Sequence, residues 1–291
     1  MSAHAFPTES AGASCPFMPV FGPPQVMFER GSGTELWDVA GKRYLDFLCG
    51  LAVTSLGHCH PAVTEAITTQ AGRLLHVSNF FSNDAAARAA VELRALLTEC
   101  TGADGQVFFC NSGAEANEAA LKLARKFGGR GRHVVISAFG SFHGRTAQTM
   151  AMTNSKTVYR SRYQPLPAGV FVAPFPYAYH YGWTEDEAID FCLRELDLML
   201  KSQTAPEETA AIIIEPELGE GGYIPAPARF MKALREICTH YGIMFVADEV
   251  QSGFGRTGNV AFDDWREKEL TRIEEERRKL DETLKEFDSY L

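Results

Sequence analysis

The sequence predicts an α/β protein built on a mostly parallel, doubly wound sheet. Short, nearly all-apolar runs rich in β-branched and aromatic residues occur at 133–138, 170–173, 211–215 and 243–248, as strands covered on both faces require. Helix-spaced stretches lie between most of them, for example 185–201 and 227–241. Strands that alternate with helices pair in parallel through crossovers. The residues that carry chemistry follow the apolar runs directly, and in open α/β sheets ligands bind at the carboxyl ends of strands.

The chain has 291 residues, 45% hydrophobic and 22% charged, enough for a sizeable core in one large domain or two smaller ones. A formal net charge of −9 argues against nucleic acid or an anionic membrane surface as the main partner. No apolar run reaches bilayer-spanning length. Residues 1–24 contain no Lys or Arg and no continuous apolar block, so they read as neither a secretory signal nor an Arg-rich transit peptide. Seven scattered cysteines without a CxxC pair read as reduced thiols, mostly core filler, in a cytoplasmic protein.

In chain order, residues 1–25 form a loose Pro/Gly/Ser-rich arm. Residues 34–39 and 43–47 flank Ala40-Gly41-Lys42 as a β-hairpin. Residues 50–61 are a Gly/His loop. His58, Cys59 and His60 lack a matching second cluster, so no metal is expected. Helices follow at 62–75 and 84–101, the second stopping at Gly102. Residues 107–110 read as a short strand, with a turn at Asn111-Ser112-Gly113 and a helix running through Arg125. Asn111 or Ser112 caps that helix, and Glu115 places negative charge in its first turn. The N–H groups of Ser112, Gly113 and Ala114 form a ready anion cradle, which Gly113 opens to a phosphate. An ordinary βα turn with a good cap explains the same residues equally well.

Three further strand ends carry Ser141-Phe142-His143-Gly144-Arg145-Thr146, Glu215-Pro216-Glu217-Leu218-Gly219-Glu220, and Asp248-Glu249-Val250-Gln251. Singly, Phe142 could be core, Asp248 a cap and Glu215 a loop entry. Together with the cradle they suit pyridoxal 5'-phosphate. That cofactor needs a phosphate seat, an aromatic against its flat ring and a buried carboxylate that keeps its ring nitrogen protonated.

Over about residues 31–258 the chain resembles the class III, fold type I, pyridoxal-phosphate-dependent aminotransferases (the acetylornithine, ornithine and 4-aminobutyrate group). The motifs are LWDVAGKRYLDF, GLAVTSLGHCHP, FFCNSGAEANEAALKLAR, FHGRT, EPELGEGG and DEVQSGFGRTG. The resemblance implies that Ser112, Gly113 and Ala114 hold the phosphate, that Phe142 stacks on the ring, that Asp248 pairs with the ring nitrogen and that Gln251 binds the ring hydroxyl. It implies that Glu215 supports the cofactor pocket and Arg145 holds a substrate carboxylate. Glu220 matches an acid that pairs with a C-terminal arginine in enzymes that accept both ω-amines and α-amino acids. Where the family usually has Gln before Gly-Glu, this chain has Leu218. The implied substrates are an amino acid of ornithine, acetylornithine or ω-amino type and a 2-oxo acid, handled by a homodimer.

The resemblance divides the chain into an arm, hairpin and part of a small domain (1–75), a cofactor-binding large domain (76–265) and a charged amphipathic helix (266–291). The family's Schiff-base lysine lies on a later strand, and its segment is absent here, so the catalytic lysine is unassigned. Lys279 sits in a solvated Glu/Arg run and is not its substitute. The family's remaining strands flank the one that leads to the cradle, so the sheet is expected to be incomplete and that strand to lose partners. From Arg266 onward there is no Gly or Pro, and Leu270, Ile273, Leu280, Leu284, Phe287 and Leu291 form a stripe that Arg277 interrupts. A short coiled coil and a single helix held by i,i+4 pairs fit this tail equally. Two functions stay open: a transaminase impaired in this chain by the missing lysine, or an inactive cofactor-binding or assembly protein whose tail directs association. A decarboxylase or racemase of the same family is a third.

Overall fold

Alternating apolar faces build the sheet. In the computed structural model, which describes residues 26–257 except Ala103 together with Met18, Val20, Phe21 and Pro24, the chain forms two compact units divided between Phe81 and Ser82. The N-terminal arm before residue 18, the family-like stretch 259–265 and the tail 266–291 lie outside the described residues.

In the first unit, strands β1 (Phe28–Ser32), β2 (Glu35–Asp38) and β3 (Arg43–Leu45) form an antiparallel sheet. The expected hairpin is β2–β3, and its turn is tied by Asp38, whose Oδ1 accepts from Ala40 N and Lys42 N. The sequence reading had no strand for 28–32. Helices α1 (Cys49–Ala52) and α2 (Pro61–Ala71) complete the unit. His58 is a structural residue of this loop: its Nε2 lies 2.7 Å from Asp46 Oδ2, and it bridges backbone to backbone with Gly33.

The second unit begins with α3 (Asp84–Thr101), capped by Asn83, and α4 (Gly113–Gly128), capped by Ser112. Then come β4 (Val134–Ala138), α5 (Ala147–Met152), β5 (Val170–Ala173), α6 (Ala178–Tyr181) and α7 (Glu185–Ser202). The chain continues through β6 (Thr209–Ile214), a short ribbon of β7 (Glu217–Leu218) and β8 (Ile224–Pro225), α8 (Ala228–Tyr241) and β9 (Met244–Ala247). The central sheet has the order β5-β4-β6-β9, parallel throughout.

Strand periodicity sorts the two faces. Ile136, Ile212 and Ile214 pack with Leu196 of α7 and Met231 and Leu234 of α8, whereas Val135, Ala211 and Ile213 pack with Leu121 and Ala124 of α4 and with Met152. Burial on both faces explains why these strands read as unbroken apolar runs rather than alternating ones. The sheet is therefore wound on both sides, as the sequence predicts.

Two expectations fail. Residues 107–110 belong to no strand among the described residues, and Phe108 and Phe109 are exposed. A run of β-formers becomes a strand only when a neighbour takes up its N–H and C=O groups, and neither β5 nor β9 does so. The cysteines are not mostly core filler either. Of the six described, only Cys192 and Cys238 are buried, where burial pushes both thiols up to about 12, while Cys59 and Cys110 are exposed.

Candidate active site

The carboxyl ends of β4, β6 and β9 and the start of α4 meet. Asp248, the residue after β9, is fully formed into this junction: its N–H donates to Ile214 O at the end of β6, and its carboxylate is buried. Three groups meet that carboxylate. Asn117 Nδ2 donates to Oδ2 at 2.7 Å, His143 Nδ1 lies 2.7 Å from the same oxygen, and Val250 N donates to Oδ1 at 3.2 Å. Asn117 Nδ2 also reaches His143 O at 2.9 Å, so α4 and the loop after β4 are stitched together through the acid. A buried carboxylate survives only with such partners.

The turn that opens α4 sits beside this acid. A Cβ on Gly113 would lie 2.9 Å from both methyls of Val250, so only glycine lets the loop after β9 close against the turn. A Cβ on Gly144, whose φ is +132°, would lie 2.9 Å from the Ala114 Cβ, which brings the loop after β4 against the same turn. Ser112 Oγ accepts from Glu115 N, and Glu115 Oε2 accepts from Asn111 N at 2.6 Å. This leaves the first-turn N–H groups pointing off the positive end of a 16-residue helix.

Glu215, the residue after β6, is buried and clasps two loops: Oε1 accepts from Phe142 N at 2.7 Å and Oε2 from Gly219 N at 2.9 Å. Burial raises its carboxyl above the ordinary range, and the two N–H donors offset this only in part. Between its ordinary value of 4.5 and the higher folded value, the native state keeps a proton that the unfolded chain releases, so Glu215 contributes stability that is lost as pH rises through that window. The stability difference between wild type and Glu215→Gln, from urea midpoints between pH 4 and 8, is expected to shift against wild type as pH rises. A gap that is constant with pH would contradict this assignment.

Phe142 is half-buried, with its ring edge-on to Tyr159 at 5.2 Å. The Arg145 guanidinium lies 5.7 Å from the Phe142 ring centroid and 5.2 Å from that of Tyr159. Glu220 pairs with Lys156 at 2.8 Å. Gln251 is half-buried, and its Oε1 approaches Gly219 so closely that a Cβ there would overlap it. The structure thus brings Ser112, Gly113, Ala114, Phe142, Glu215, Asp248 and Gln251 into one junction, with Arg145 and Glu220 on its solvent side.

Sequence reasoning missed Asn117 and singled out His143 without giving it a role. Asn117 was visible as the one polar residue on the buried stripe Asn117, Leu121, Ala124 of α4. His143 is buried, its N–H donates to Thr153 Oγ1 at 2.9 Å, and its Nε2 has no hydrogen-bond partner.

The model of the family described as "Aminotransferase class-III" matches residues 19–268. The chain belongs to the class-III aminotransferase family. Among curated relatives, the acetylornithine aminotransferase of Corynebacterium efficiens is 44% identical over 243 residues, 82% of this chain and 55% of that protein. The succinylornithine transaminase of Salmonella newport is 41% identical over 247 residues, 84% of this chain and 54% of that one. Among solved structures, a PLP-bound amine transaminase from an uncultivated Pseudomonas species superposes with a TM-score of 0.79 at 28% identity, covering 86% of this chain and 59% of that one. The α/β sheet is therefore that of the fold type I transaminases. The chain spans about half the length of the curated relatives it matches. Among the described residues, no helix is long and apolar enough to cross a membrane.

Proposed function

We propose that this chain binds pyridoxal 5'-phosphate and serves amino-group transfer between an amino acid of ornithine, acylated ornithine or ω-amino type and a 2-oxo acid, in the cytoplasm and as a homodimer. The observation that carries the reading is Asp248. A strand end delivers a buried carboxylate to the first turns of α4, with Val250 pressed against Gly113 and Asn117 bonded to the acid.

The residues present fit the cofactor. Ser112, Gly113 and Ala114 would take the phosphate on their N–H groups and the helix dipole. Asp248 would face the ring nitrogen, held in place by Asn117 and His143. The bound cofactor supplies an electron sink for negative charge at the carbon that bears the amino group. Phe142 would cover the ring, its backbone fixed by Glu215. Gln251 would meet the ring hydroxyl. Arg145 would bind a substrate carboxylate, and Glu220 would act on the remainder of the substrate. The two ornithine-type relatives support the donor class, and a solved taurine:2-oxoglutarate aminotransferase from Bifidobacterium kashiwanohense, in complex with PLP and glutamate, supports the acceptor class.

The test is a titration of the full chain with pyridoxal 5'-phosphate, followed by visible absorbance. Saturable binding at one site per chain, weakened by inorganic phosphate, is the expected result. Binding that never saturates, or that phosphate leaves unchanged, would refute the cradle.

A further inference from the structure

The outward side of α7 carries side chains that the junction around Asp248 does not use. Glu187, Asp190, Phe191 and Arg194 recur at steps of three and four, so they stand on one side of the helix. With Trp183 they line an open cleft of ≈ 260 Å³, at the small end of ligand sites, which run from about 300 to 1,000 Å³. Trp183 lies in the link between α6 and α7, where its N–H donates to Ala178 O. Its indole stacks on Tyr181 with centroids 4.8 Å apart and meets Phe191 edge-on at 5.2 Å, yet the residue stays 42% exposed. Two aromatic rings are therefore fixed in the cleft wall with apolar surface still open.

The charges beside these rings are only half used. On a helix, an arginine four residues after an aspartate ordinarily pairs with it. Here Asp190 Oδ1 accepts from Arg229 of α8 instead, and Arg194 makes no ion pair among the described residues. Glu187 Oε2 accepts from the N–H and hydroxyl of Thr184 at 2.9 and 2.8 Å, bonds that hold its carboxyl below the ordinary range and keep it ionised at neutral pH. Glu187 Oε1 and Asp190 Oδ2 accept from no group among the described residues. The cleft thus offers a guanidinium without a counter-ion, two carboxylate oxygens without donors, and two rings.

We infer that this cleft is a second binding site, for a free aromatic α-amino acid whose carboxylate meets Arg194, whose ammonium meets Glu187 and Asp190, and whose ring meets Trp183 and Phe191. Complementarity selects this class. A plain organic cation leaves Arg194 without a counter-ion, and a plain carboxylate faces two acids. A zwitterion with a flat apolar group satisfies both signs and also covers the rings, where aromatic pairs gain beyond their buried area. None of the five lining residues is among those proposed to hold the cofactor, so the inference stands apart from the transaminase reading.

Calorimetry on the full chain without added cofactor tests this with four probes: L-phenylalanine, phenethylamine (no carboxylate), 3-phenylpropionate (no ammonium) and L-alanine (no ring). L-phenylalanine should bind saturably with a Kd of about 1 mM or below, and each of the others at least about fivefold more weakly. Arg194→Gln, at an exposed position, is expected to weaken L-phenylalanine about tenfold while phenethylamine stays within about twofold. Trp183→Leu should weaken both ring-bearing amines together. Asp248→Asn should leave L-phenylalanine within about twofold, because its side chain lies in the other site. The inference falls if L-phenylalanine gives no saturable heat, or if either cleft variant binds it as wild type does. It falls equally if Arg194→Gln weakens phenethylamine as much, which is a structural effect, or if Asp248→Asn abolishes the binding, which places the amino acid at the junction.

Discussion

Asp248→Ala is expected to lower the unfolding free energy by about 3–5 kcal/mol, as removal of one member of a buried, bonded charge cluster does. The reason is what the substitution strands. His143 Nδ1 loses its partner while Nε2 already has none, and Asn117 Nδ2 keeps only the His143 carbonyl. Each buried polar atom left unpaired costs about 1–3 kcal/mol. Asp248→Asn separates the fold from the cofactor. Its amide oxygen can still accept from Asn117, so the protein should fold, but the negative charge is gone. Affinity for pyridoxal 5'-phosphate should then fall about 10- to 100-fold, the value of one charge-assisted hydrogen bond. Urea unfolding and the absorbance titration read the two effects independently. A folded Asp248→Asn protein that binds the cofactor as wild type does would remove Asp248 from the ring-nitrogen role.

Leu196→Ala should cost a comparable amount, about 3–5 kcal/mol, by a different route. Leu196 is 2% exposed on α7, between Ile136, Ile212 and Leu234, and the gap among these side chains is only ≈ 10 Å³. Such packing has little slack to collapse into the space a leucine leaves, so the cavity penalty adds to the lost transfer energy. No group that Leu196 packs with belongs to the acid cluster around Asp248. Cofactor affinity of the folded protein should therefore stay within about twofold, since distant sites act additively. A large loss of affinity would show that the α7 layer and the junction are energetically coupled.

Much of the fold was legible in the residues because each buried strand is its own signal. Residues 170–173 coincide with β5, and residues 133–138, 211–215 and 243–248 contain or overlap β4, β6 and β9. The helix starting near Gly113 was legible from its cap and from Glu115, since capping is a contact between near neighbours in sequence. The strand expected at 107–110 was not decided by its own composition. Its pairing depends on residues far away in the chain, and none of the described strands supplies it.

The sequence by itself therefore determined the local elements, the class of sheet and the four loops proposed to hold the cofactor, because these follow from periodicity, caps and turn residues over short distances. Only the tertiary structure decided the partners within the site. That Asn117 and His143 share one oxygen of Asp248, across 131 and 105 residues of chain, follows from the crossover that sets α4 against β6 and β9. The pairing of Glu220 with Lys156, 64 residues earlier, has the same origin. A side chain's charge is written in the sequence, but what compensates that charge depends on which strand ends the sheet lays side by side.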